Sequence, residues 1–214
     1  MLLYFISKNG KVSERFSYKE HIINSPIRDQ VFQLTSEIEE PLDLNNHLPF
    51  RVAIVSNLLA LNRDWKIRNL CELDPREMRV LLNIGSYMPV KSADIAYQSR
   101  LDSYTVSRAV KKLLALNLIE SKPDDYKKNV KNLVLNEQGK VLYQRVAAAM
   151  DARSKQLESV LSETELEQFY TMLEKVENQA EKLLAEQAVE LVSEGLDAPA
   201  DQKELIRWHK KSSS

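Results

Sequence analysis

Apolar residues recur at spacings of three and four along most of this chain, and alternate over only short stretches. That pattern predicts a mainly α protein with a small β element. At the start, two β-prone runs flank Asn9-Gly10, a type I′ hairpin signal within 1–24. Ser25 followed by Pro26 begins a helix over 25–39, with Ile27, Val31, Leu34 and Ile38 on one face and Pro41 beyond its end. A longer helix is expected over 48–70. Its apolar residues Val52, Val55, Leu58, Leu59, Leu61 and Trp65 spread over more than one face, as in a helix that is buried or shared with a partner. Asp74-Pro75 restarts a helix that buries Met78, Leu81 and Leu82.

The stretch SADIAYQSRLDSYTVSRAVKKLLALNLI (92–119) reads as two short helices around a tight turn. Ser92 is expected to cap the first, and Ile95 and Ala96 to face inward. Ser99, Arg100 and Leu101 form the turn, and Asp102 or Ser103 caps the second helix. The second helix buries Val106, Ala109, Val110, Leu113 and Leu114, and Asn117 follows where a left-handed C-cap is wanted. A strand over 118–122 and a returning strand over 130–135 make a basic hairpin. A helix over 136–161 follows, and Ser162 to Glu165 form a capping box for a last helix to about Glu194, closed by Gly195. Leu157, Val160, Leu161, Leu166, Phe169, Leu173, Val176, Ala180, Leu183 and Leu184 form an apolar stripe on these last two helices, more than one small domain needs. This predicts a homodimer, with the helix over 48–70 contributing.

Charge changes the picture. The 214 residues carry a formal net charge of −1, but the charge is partitioned. Over 86–134, nine cations face five acids; over 151–194, eleven acids face four cations. Local charge sets attraction to phosphate. The outer face of the second short helix carries Ser103, Tyr104, Thr105, Ser107, Arg108, Lys111 and Lys112, hydroxyls and cations suited to phosphate oxygens and base edges in a major groove. Ser92 lies at the start of the preceding helix. Lys127, Lys128 and Lys131 in the hairpin could reach the backbone or minor groove alongside. Helix-turn-helix plus basic hairpin is a winged helix. The expected partner is double-stranded DNA, read as a pseudo-palindrome by a two-fold dimer.

The LDPREMRVLLNI helix, the ADIAYQSRLDSYTVSRAVKKLLALNLIES core, the DDYKKNVKNLVLNEQGK wing with its Leu135-to-Gly139 exit, and the helical arm together resemble the multiple-antibiotic-resistance regulator (MarR) family of winged helix-turn-helix repressors, over roughly 45–185. The RVAIVSNLL and REMRVLL segments are similar to a subgroup that often controls aromatic-compound catabolism. Two departures stand out. Arg100 occupies a turn position that often carries Gly, and the wing has Asp124, Asp125 and then lysines where an Asp followed by arginines is usual. The resemblance implies a ligand pocket between the long first helix and the DNA-binding core, where Arg51, Ser56, Trp65, Arg79 and Met88 fall. An arginine there could hold a carboxylate and Trp65 could stack on a ring, so the implied effector is a small aromatic acid.

The organisation expected is an N-terminal extension (1–45), a dimerisation helix (46–73), a winged helix-turn-helix core (74–140), a C-terminal helical dimerisation arm (141–194) and a flexible tail (195–214). No nucleophile–base pair, phosphate-cradling Gly loop or paired-carboxylate motif is present, so neither an enzyme nor a cofactor is expected. His21, His47 and His209 are scattered, so no metal is expected. Cys71 is the single cysteine, read as a structural thiol in a reducing compartment. No apolar run is long enough for a membrane span, and the first residues do not read as a signal peptide, so the expectation is a cytoplasmic protein. A rival reading is an effector-free DNA-binding regulator whose terminal extensions bind protein partners.

Overall fold

The computed structural model describes residues 32–123, 131–197 and 199–212, and the chain divides into two units, Met1–Leu59 and Ala60–Ser214. The expected hairpin over 1–24, the start of the helix over 25–39, and the wing lysines Lys127 and Lys128 lie outside the described residues.

In the first unit the expected helix does not run through the described residues 32–39. Residues 32–40 are irregular chain and bends. Thr35 Oγ1 accepts the Glu37 N–H at 3.2 Å, a local side-chain bond that competes with helix, and Glu40 is left-handed (φ 54°) just ahead of Pro41. Asp43 then caps a 3-10 turn, Leu44–Asn46, accepting the Asn45 N–H at 3.0 Å. Helix α1, Leu48–Leu59, follows with none of its residues buried.

The single helix expected over 48–70 is also broken. After α1 the chain makes a 3-10 turn, Leu61–Arg63, and restarts as the short helix α2, Trp65–Arg68. The break falls at Ala60, and the restart is capped by Asp64. Its backbone is extended and its carboxylate accepts the Ile67 N–H at 3.1 Å, a use of aspartate that is favoured at a cap and disfavoured inside a helix.

The rest of the second unit follows the predicted order closely. Helix α3, Pro75–Tyr87, opens on a capping box in which Asp74 and Glu77 each accept the other's backbone N–H at 2.9 Å. Helix α4, Ser92–Ser99, is preceded by Lys91 as N-cap, with no side-chain cap bond, so Ser92 does not cap it. Lys91 holds the extended backbone and Ser92 is already helical. Helix α5, Ser103–Ala115, is capped by Asp102. Its end is a left-handed Asn117 (φ 53°), with Leu118 N–H donating to Leu113 O and Asn117 N–H to Leu114 O, both at 3.0 Å.

Strands β1, Ile119–Pro123, and β2, Lys131–Leu135, pair antiparallel with Ile119 opposite Leu135. Val90 adds a bridge to Leu133, exchanging both backbone hydrogen bonds at 3.2 and 2.8 Å. Asn136 then turns the chain. Its N–H donates to Leu118 O, its side-chain oxygen accepts the Gly139 N–H at 2.9 Å, and its amide donates to Asn117 O at 2.7 Å. A Cβ on Gly139 would collide with the Leu118 carbonyl, so glycine is required where helix α6, Glu137–Glu158, leaves the wing.

One continuous core joins these elements. It contains Ile67 of α2, Met78, Val80, Leu81 and Ile84 of α3, Ile95 of α4, Val106 and Leu113 of α5, Leu133 and Leu135 of β2, and Val146 of α6. Each such side chain contributes roughly 1.5–3 kcal/mol by leaving water. Cys71 packs half-buried at its edge.

Helix α7, Glu163–Ser193, has the predicted Ser162 capping box and ends in a Schellman turn, with Gly195 at φ 78° and Leu196 N–H donating to Leu191 O at 3.0 Å. It buries only Glu181, Ala185 and Ala188. The tail expected to be loose instead carries helix α8, Ala200–Ser212, packed along α7. Pro199 precedes it, and Leu205, Ile206, Trp208 and His209 are all half-buried at helical spacing, enough apolar surface to hold a short helix in place.

Arg100 is where the arm meets the core. Its backbone is left-handed (φ 50°, ψ 37°), a conformation a non-glycine residue adopts at a cost of about 1 kcal/mol. Its guanidinium pairs with Glu181 at 2.6 Å and Glu177 at 3.2 Å, and lies 4.4 Å from the Tyr97 ring centroid and 5.8 Å from that of Trp208. The Glu181 side chain is only 5 % exposed, so removing the cation strands a buried carboxylate. Arg100→Ala is expected to lower unfolding free energy by about 3 kcal/mol, with Arg100→Ala/Glu181→Ala costing less than the sum of the two single changes. Chemical denaturation of the four proteins checks this.

Candidate nucleic-acid interface

The two faces of α5 divide as expected except at Leu114, which was expected in the core but lies at its margin, 41 % exposed. Val106, Ala109, Val110 and Leu113 are buried, while Tyr104, Ser107, Arg108, Lys111 and Lys112 are all exposed. The latter lie at spacings of three and four, which places them on one stripe of the helix. Tyr104 is 71 % exposed, and the Arg108 guanidinium sits 5.8 Å from its ring centroid, within cation–π range. Three cations and two hydroxyl groups thus share a solvent-facing ridge. Lys131, exposed at the start of β2, and Ser92, exposed in the first turn of α4, belong to the same unit.

The first turn of α5 differs from its middle. Thr105 Oγ1 donates to Asp102 Oδ2 at 2.7 Å, and the Thr105 N–H donates to Asp102 Oδ1 at 2.8 Å. The hydroxyl and that N–H together hold the Asp102 carboxyl below its ordinary value of 3.8, so it is ionised at neutral pH. The Thr105 hydroxyl therefore spends its proton on the cap and offers a groove only its lone pairs. Ser103 is more fully engaged. Its N–H donates to Glu204 Oε2 at 3.2 Å and its hydroxyl donates to Glu204 Oε1. Glu204, on α8, is 6 % exposed. Sequence reasoning missed Glu204, Trp208 and Glu181. The apolar spacing of Leu205, Ile206 and Trp208 behind Pro199 was the available signal for a docked helix.

The five residues proposed for an effector are not gathered by the second unit. Arg51 and Ser56 lie on α1 of the first unit. Trp65 is 68 % exposed at the start of α2. Met88 Sδ accepts the Leu135 N–H at 3.4 Å, which ties it to β2. Arg79 lines an open hollow of about 400 Å³ with Asn83, Ser86, Tyr87, Gln98 and Ser99. Beside it, Tyr143 packs on Gly85 and its hydroxyl lies 3.0 Å from Ser86 Oγ. Among the described residues no group of three or more His, Cys, Asp or Glu side chains is placed to hold a metal, and no helix is long and apolar enough to cross a membrane.

Residues 72–128 match the family model described as the MarR family. No curated protein matches the chain significantly in sequence. Among solved structures, a MarR/EmrR family transcriptional regulator from Acinetobacter sp. ADP1 superposes with a TM-score of 0.61 at 25 % identity, over 66 % of this chain and 99 % of that one. MepR of S. aureus, solved as a DNA complex, gives 0.56 at 22 % identity, over 63 % and 98 %. CouR from Rhodococcus jostii RHA1, solved bound to p-coumaroyl-CoA, gives 0.57 at 20 % identity, over 64 % and 95 %. The family-model match spans the helix-turn-helix, α3 to β1, so that segment is similar to the MarR family, and the second unit has the winged helix-turn-helix fold of these solved regulators.

Proposed function

We propose that this chain is a cytoplasmic, dimeric repressor that reads a pseudo-palindromic operator, with α5 as its recognition helix and the wing contacting the backbone beside it. The observation that carries this is the ridge of Tyr104, Ser107, Arg108, Lys111 and Lys112 on the one exposed face of α5. Arginine forks bidentately onto guanine, whereas lysines act as point charges toward phosphate. Arg108 and Ser107 are assigned to base edges, and Ser92, Lys111, Lys112, Lys127, Lys128 and Lys131 to the backbone. Affinity for duplex DNA should fall steeply as salt rises, because each phosphate contact releases counterions. Arg108→Ala should cost about 1–3 kcal/mol for the operator and much less for random DNA, while Lys131→Ala should weaken both alike. Titrations at several salt concentrations measure both effects, and a flat salt response defeats the reading.

Dimerisation is assigned to the apolar stripe of the arm. Leu157, Val160, Leu161, Phe169, Leu173, Val176, Leu183 and Leu184 are all exposed in the single chain, and exposed apolar residues in such number mark an interaction surface. A two-fold pairing would set two α5 helices for successive major grooves. Ultracentrifugation should give about twice 24.7 kDa, and Phe169→Glu/Leu173→Glu should shift the protein toward monomer. A monomeric intact protein rules out the two-half-site mechanism.

The effector assigned to this dimer is a small aromatic carboxylate or its thioester, acting by favouring a dimer shape with the wrong helix spacing. Support comes from the neighbour CouR, solved bound to p-coumaroyl-CoA, and from Arg79 in the lining of an open hollow. Arg51 remains the second candidate clamp. Such a ligand should raise the melting temperature and weaken operator binding, and the operator must weaken ligand binding by the same factor. Both effects should shrink in Arg79→Ala or Arg51→Ala. A panel of aromatic acids that moves neither quantity favours the effector-free reading, in which protein partners act on the terminal extensions.

A further inference from the structure

The N-terminus of α5 already holds an anion, and it belongs to the same chain. Glu204 accepts from both the backbone N–H and the hydroxyl of Ser103, the first residue of the helix. A helix N-terminus presents unpaired N–H groups and the positive end of the helix dipole, which suit a phosphate oxygen as well as a carboxylate. One turn upstream, the cation of Arg100 is taken up by Glu177 and Glu181 of α7. The arm therefore neutralises the two features at the mouth of the helix-turn-helix that would otherwise attract a DNA backbone.

The grip is built from more than one contact. Trp208 meets the Tyr97 ring edge-on with centroids 6.4 Å apart, and Arg100 lies over both rings. Ala185 and Ala188 are buried on α7, small enough to let α8 approach closely. Glu204 is also 3.5 Å from Arg207 of its own helix, so its charge is partly balanced without DNA. Like charge then matters. A phosphate approaching Ser103 meets a buried carboxylate, and the segment 151–194 behind it carries seven more acids than cations.

Resting on the reading of α5 as the recognition helix, we propose that α8 is an autoinhibitory clamp, in which Glu204 occupies a phosphate position at the start of α5 and must be displaced for DNA to bind. Docked and undocked α8 form a two-state equilibrium, and the affinity for DNA is reduced by the undocked fraction. Whatever lifts α8 raises DNA affinity without touching the groove-reading ridge.

The test uses the full chain and a random-sequence duplex of about thirty base pairs, long enough for two half-sites. Glu204→Gln keeps the shape and removes the charge, and should tighten binding about tenfold, the scale of one charge-assisted hydrogen bond. Trp208→Ala loosens the clamp from its other end and should act in the same direction. In the unaltered protein, adding duplex should speed amide hydrogen exchange in 200–212. Unchanged or weaker binding by Glu204→Gln, or slower exchange in α8 on adding DNA, makes α8 a buttress of the turn and overturns the clamp. If Glu204→Gln fails to fold, Trp208→Ala and the exchange experiment decide. Failure of every protein to bind duplex even at low salt removes the DNA reading and the clamp with it, whereas equal binding by all of them removes the clamp alone.

Discussion

The left-handed turn at Arg100 is the constraint around which the second unit is arranged. Two helices can cross within three residues only if one residue reverses the chain, and left-handed backbone does so most compactly. Glycine would take that conformation without strain; arginine takes it because its side chain is held. Glu181 and Glu177 fix the guanidinium, and Tyr97 and Trp208 supply ring faces. A local backbone preference is thus overruled by side-chain partners, of which Glu177, Glu181 and Trp208 are distant in sequence.

From that turn the placement of α5 follows. Asp102 caps it, Val106, Ala109, Val110 and Leu113 seat it, and the remaining face has nowhere to point but solvent. The core beneath is shared by α3, α4, α5, the wing strands and α6, so the ridge is mounted on packed structure and loses little entropy on meeting a rigid duplex. The same anchoring holds the wing. Val90 pairs with Leu133, Asn136 ties the exit of β2 to Leu118, and Gly139 allows α6 to pass against that carbonyl.

The arm has two characters. Its first half leaves Phe169, Leu173 and Val176 exposed, as a surface awaiting a second chain would. Its second half carries, on another face, the residues that meet its own helix-turn-helix: Glu181 of α7 pairs with Arg100, and Glu204 of α8 with Ser103. A net charge of −1 is consistent with both uses, because the acids are concentrated in the arm and the cations around α5. The total charge says little about DNA binding, and the distribution says a great deal.

Most of the second unit was legible in the sequence because its signals are local. Asp74-Pro75 with Glu77, Asp102, Asn117, Ser162 with Glu165, and Gly195 each act within a few residues, and each marks a helix end where one is found. The apolar period identified α3, α5 and the exposed ridge of α5 for the same reason. The errors arose where local signals compete. The helix expected over 48–70 breaks at Ala60 and restarts on the cap of Asp64, Thr35 and Glu40 kept 32–40 out of a helix, and Lys91 rather than Ser92 took the cap of α4. Tertiary structure alone decided that Arg100 pairs with Glu181 and that Glu204 closes on Ser103. Ion pairs and caps between residues eighty to a hundred positions apart leave no periodicity in a sequence; they exist only once packing has brought the helices together.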